Sequence, residues 1–104
     1  SSKSYIDQSL AWLETESSLY PRVTTNNHAI AYFSGRVENY DKVTRLVSEI
    51  EIRELKLNDL LILEMNYEMS LLLDKASLKP YLELQASFPN NQDIKLAIYK
   101  KIDP

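Results

Sequence analysis

One glycine, Gly35, and four prolines in 104 residues limit the folds open to this chain more than any other feature. A sandwich or barrel of short strands needs a turn signal every ~8–12 residues, and glycine is the usual source of the left-handed conformations in such turns. Helices joined by short capped turns need far fewer. The prolines also sit like helix punctuation: Tyr20-Pro21 and Phe88-Pro89 lie 68 residues apart, twice a helix-turn-helix period of about 34. The expected class is therefore all-α, antiparallel helix-turn-helix repeats forming an α-solenoid of about six helices.

The chain is long enough for one domain, residues 1–104, that buries roughly two-thirds of its unfolded surface. A net charge of −3 gives no general attraction to nucleic acid or to an anionic membrane. With no cysteine, disulfides, thiol catalysis and cysteine-ligated zinc are excluded, while the redox compartment stays open. No apolar run approaches the ~20 residues that span a bilayer, and no signal peptide is visible. A soluble protein is expected, with no direct membrane insertion, its compartment undetermined and the cytoplasm slightly favoured. The Ser-Ser-Lys start reads as a segment excised from a longer protein.

Along the chain, Ile6, Leu10, Leu13 and Tyr20 fall near one helical stripe over residues 4–20, which Pro21 closes. The loop Arg22–Asn27 supplies an N-cap for a short, buried helix, His28–Val37, packing Ile30, Ala31, Tyr32, Phe33 and Val37. Gly35 is either a close-packing point or the start of the next turn. Asn39 caps a helix from Tyr40 to Ile52 with Val43, Leu46, Val47 and Ile50 on one face. Asn58 caps a helix that is apolar nearly all round, from Leu60 to Leu72, as suits the middle of a stack. Asp74 caps another, with Leu78, Tyr81, Leu82, Leu84 and Phe88, in which Pro80 either kinks the helix or delays its regular part to Lys79. Gln92–Ile102 forms the last. Leu13, Val47, Leu63, Tyr67, Leu78 and Tyr81 are the predicted inter-helix core.

Shifting the chain by 34 residues aligns Leu13, Val47 and Tyr81, and places Pro21, Leu55 and Pro89 together. Tyr40-Asp41-Lys42-Val43 and Asp74-Lys75-Ala76 open second helices, and Phe88-Pro89-Asn90-Asn91 closes a repeat. On these motifs the chain resembles the tetratricopeptide repeat family. The resemblance implies a half repeat (4–21), two full repeats (24–57 and 58–91) and a closing helix (92–102). Met65 stands where the family has a small residue, and Val43 where it has Ala. The resemblance further implies a concave groove lined by His28, Tyr32, Asp59, Ile62, Asn66, Asp93, Leu96 and Lys100. Of the family's carboxylate-holding Lys and Asn pattern only Asn66 matches; His28 and Asp59 fill lysine positions, which disfavours a heat-shock-protein tail as ligand.

No catalytic, metal or cofactor site is predicted. His28, the single histidine, lacks a marked nucleophile and orienting acid. Glu49, Glu51 and Glu54 lie among Arg53 and Lys56, so intrahelical pairing is the preferred reading. One glycine cannot make a phosphate loop, and Lys95, Lys100 and Lys101 suit a helix C-terminus rather than nucleic acid. The expected function is a non-enzymatic module, part of a larger adaptor, secretion component or regulator, that binds a protein or peptide segment. The alternative is a structural assembly domain without a separate ligand, a homodimer through its end helices.

Overall fold

The computed structural model describes residues 4–16, 22–38, 43–44, 46–89 and 93–103. The fold is a mixed α/β one, and this overturns both the all-α solenoid and the tetratricopeptide resemblance. Helix α1 (Ser4–Glu16) precedes strand β1 (Val23–Thr25), α2 (His28–Ser34) and α3 (Glu49–Arg53). Then come β2 (Leu60–Glu64), α4 (Tyr67–Leu73), a 3-10 turn at Lys79–Tyr81, β3 (Leu82–Phe88) and β4 (Leu96–Lys101). The strands form one sheet in the order β1-β2-β4-β3, with β1 parallel to β2 and both other pairings antiparallel.

The apolar stretch read as a central helix is the central strand. Asn58 adopts φ +72° and starts no helix, and β2 runs through Leu60-Leu61-Ile62-Leu63. A continuous apolar run suits a strand covered on both faces as well as it suits a buried helix. Alternation sends Leu60 and Ile62 into one core with Leu13, Val23, Ile30, Leu96 and Ile98. Leu61 and Leu63 enter a second core with Val47, Ile52, Leu55, Met69 and Leu78. Helices α1 and α2 cover the first face; α3, α4 and the turn before β3 cover the second. The result is a three-layer sandwich with the sheet in the middle.

The other expected helices fail for local reasons. Ser48, not Asn39, starts α3: its hydroxyl accepts from Glu51 N–H while the Glu51 carboxylate accepts from Ser48 N–H, a reciprocal cap that fixes the helix start. Val43, Thr44 and residues 46–48 are not helical. Asp74 ends α4 rather than beginning a helix. Pro80 then confines helical geometry to the 3-10 turn, and the chain extends into β3. The expected last helix is β4, whose Leu96 and Ile98 face one core while Tyr99 packs against the other. Of the predicted core, Leu13, Val47, Leu63 and Leu78 are buried, Tyr81 is half-buried and Tyr67 is 73% exposed. The loop 22–27 does supply a cap, Asn27, whose side chain accepts from Ile30 N–H; the helix expected to reach Val37 stops at Ser34, where Gly35 ends it at φ +65°. Apart from its chain neighbours, no heavy atom lies within 4 Å of where a Gly35 Cβ would sit, so Gly35 serves the turn and not close packing. Tyr20, Pro21, Asn39–Lys42, Arg45 and Asn90–Gln92 lie outside the described residues.

Candidate functional site

The eight residues expected to line one concave surface are dispersed. Ile62 and Leu96 are core strand residues on β2 and β4. Asp59 is buried and accepts from Arg22 and from Lys56 N–H. Asn66 caps α4, its side chain accepting from Met69 N–H. Asp93 pairs with its neighbour Lys95, and Lys100 pairs with Glu83 across the β3–β4 ladder. His28 and Tyr32 share α2 and both are exposed, while Leu96 and Lys100 share β4 with Leu96 buried in the core. The stacked first helices that were to bring these residues together do not exist.

A different set converges where α1 lies beside α2. In α2, Ile30 and Ala31 face the core. At about 100° per residue, the next two side chains must turn away from it. Tyr32 and Phe33 are accordingly 67% and 68% exposed, and their rings meet edge to face at 4.9 Å. Phe33 projects between two clefts. One, of about 450 Å³, is lined by Tyr5, Ile6, Asp7, Leu10, Asn27, Ala29, Phe33 and Glu64. The other, of about 390 Å³, is lined by Asp7, Leu10, Ala11, Leu13, Glu14, Phe33, Ser34 and Arg36. Shared Asp7, Leu10 and Phe33 make them one groove along the α1–α2 seam.

Polar groups fix one end of that groove. Asn26, buried just past β1, donates its amide to Glu64 C=O at 2.8 Å and accepts from Glu64 N–H at 2.7 Å. This amide continues the parallel β1–β2 ladder for one more step. It thereby holds the Glu64 side chain on the α1 side of the sheet, where Tyr5 donates to it at 2.7 Å and Asn27 at 3.2 Å. The hydrogen bond to Glu64 pushes the Tyr5 phenol above its usual range, with burial adding to the rise. Both Glu64 carboxylate oxygens accept hydrogen bonds from the protein, an arrangement that positions a charge rather than freeing a base.

Buried charges elsewhere serve the fold. Arg22 spans Asp59 and Glu38, and those contacts, Asp59 foremost, raise its pKa. Lys101, fully buried, donates to the carbonyls of Arg53 and Leu55 at the end of α3. Its ammonium and the Arg53 guanidinium each lie 5.5 Å from the Tyr81 ring centroid. Among the described residues no buried side-chain nitrogen or oxygen lacks a partner. Among these residues no group of three or more His, Asp or Glu could hold a metal ion and no helix is long and apolar enough to cross a membrane.

No protein-family model, curated protein or solved structure matches this chain. Reading residues by stripe missed the groove because it assigned Phe33 to the core and singled out neither Asp7 nor Glu14. The available signal was the Tyr32-Phe33 pair in a seven-residue helix, which has too little surface to bury four consecutive apolar side chains.

Proposed function

We propose that this domain is a non-enzymatic binding module that docks a segment of another protein in the groove between α1 and α2. The observation that carries this reading is the adjacent pair Tyr32 and Phe33, two-thirds exposed and standing beside apolar clefts. Exposed aromatic rings cost little side-chain entropy to order and dominate the energetics of many protein interfaces. An apolar floor with a few fixed polar groups at one end is suited to anchoring side chains. The hydrogen bonds that occupy Glu64 support binding over catalysis.

A neutral amphipathic helical peptide of Leu and Gln, titrated into isotopically labelled domain, provides the test. Amide shifts are expected to concentrate in residues 6–14 and 29–36. Tyr32→Ala with Phe33→Ala is expected to weaken binding by at least about tenfold and to leave the melting temperature within a few degrees, because both side chains are largely exposed. Shifts centred on α4 or β3, or binding indifferent to the double substitution, would place the docking surface elsewhere. Loss of self-association in the double variant, seen by light scattering, would instead favour the assembly alternative.

A further inference from the structure

We infer that the segment received by the α1–α2 groove is a basic amphipathic helix, with two cations seven residues apart flanking its apolar anchors. This inference rests on the docking role proposed above and adds the chemistry of the occupant.

The groove walls decide between a helix and an extended strand. Both walls are helices, whose backbone groups are largely spent on their own hydrogen bonds. An extended peptide laid between them would find few backbone partners and would bury unsatisfied amides. A helix arrives with its backbone already satisfied and presents only side chains. The lining on α1 runs from Tyr5 to Glu14, about 13–14 Å at 1.5 Å per residue. That length matches about two and a half turns of an occupant.

Charge decides the polar face. Over Ser4–Glu16, α1 carries Asp7, Glu14 and Glu16 and no basic side chain, and α2 adds neither acid nor Lys or Arg. Among the described residues neither Asp7 nor Glu14 enters an ion pair, and both are exposed on the groove lining. Glu64 adds a third carboxylate at one end; Arg36, at the other, is the single Lys or Arg in the lining. Asp7 and Glu14 are seven residues apart, two helical turns on the same side of α1. An occupant with Lys or Arg at i and i+7 places its cations opposite them, while residues at i+3 and i+4 reach Leu10 and Phe33. An acidic segment meets only repulsion along that wall.

Three peptides with one apolar pattern and Lys, Gln or Glu at i and i+7, with a scrambled Lys peptide, would test this by fluorescence anisotropy on the whole domain. At low salt the Lys peptide is expected to bind about five- to tenfold tighter than the Gln peptide, with the gap shrinking at high salt, and the Glu peptide more weakly than either. Asp7→Asn with Glu14→Gln should bring the Lys- and Gln-peptide affinities to about the same value. Both positions are exposed, so the fold should persist. Phe33→Ala should weaken every patterned peptide. Equal affinity for the Lys and Gln peptides, or a Lys advantage that survives the double substitution, would overturn the charge inference while leaving groove docking in place. Tight binding of the scrambled peptide would overturn it too, by reducing the effect to net charge. Indifference of all peptides to Phe33→Ala would overturn the docking reading itself.

Discussion

Lys101 shows how one side chain can join separate parts of the chain at an energetic cost. Burial pushes its ammonium below the usual lysine range, against weaker upward pulls from Asp103 and Asp59. The folded protein therefore gives up this proton at lower pH than the unfolded chain does. Stability rises with pH between the depressed folded value and the unfolded one, near 10.5. A neutral amine still has two N–H donors, enough for the Arg53 and Leu55 carbonyls. Tyr5 and Tyr99 act in the opposite sense: hydrogen bonding to Glu64 raises the first and burial the second, so their contributions fade above pH 10. A difference between two proteins cancels the tyrosines. Lys101→Met leaves two carbonyls without their donor and is expected to cost about 1–3 kcal/mol at pH 7. In urea titrations the stability gap between wild type and Lys101→Met should widen as the pH rises toward the unfolded value near 10.5. A constant gap would mean that burial does not govern this group.

At the scale of elements, what was legible in the sequence was short-range. The Asn27 cap, the turn at Gly35 and the Glu49–Arg53 pair at 3.3 Å each involve residues within four positions, where side-chain geometry leaves few choices. The strands were illegible because their signal is not local. Leu60–Leu63 satisfies a buried helix and a two-sided strand alike, and only α1 and α2 on one face and α3 and α4 on the other decide between them. The scarcity of glycine misled for a related reason: non-glycine residues, Asn58 at φ +72° and Asp93 at φ +40°, supply the left-handed turns before β2 and β4. Beside the groove, Tyr32 was picked out through an incorrect repeat, while Phe33, Asp7 and Glu64 in its lining were not; Glu64, for one, meets Tyr5 59 positions away. The helix ends can be tested against each other. Gly35→Ala meets no steric obstacle and should cost about 1–2 kcal/mol, from the left-handed backbone alone. Gly35→Asn should cost less. Asn27→Ala should lose about 1–2 kcal/mol through its cap. Urea midpoints should shift without a change in slope, and a wild-type midpoint for Gly35→Ala would show that α2 does not require its left-handed end.

For the whole molecule the decisive fact is that β2 and β4 belong to both cores. Ile62 and Leu63 are chain neighbours, yet one packs with Leu13 and Ile30 and the other with Ile52 and Met69. Neither helical layer can detach without exposing one full face of those strands, so the two cores should unfold together. The expectation is a single transition, as is usual for domains of this size. Two probes report from opposite faces: Trp12 fluorescence for the α1 side and amide exchange at Ile52 and Met69 for the other. Ile30→Val and Ile52→Val each remove one methylene from a fully buried side chain on opposite sides of the sheet, at an expected cost of about 0.5–1.5 kcal/mol. In a cooperative domain either substitution lowers the stability seen by both probes equally, with a melting temperature lower by about 4–8 °C per kcal/mol. Applied together, substitutions on opposite faces should add. If Ile52→Val lowered the exchange stability of Met69 and left the Trp12 transition in place, the α3–α4 layer would be a separate unit. The α1–α2 groove would then rest on a layer stable without it, and the single-domain account of this fold would fail.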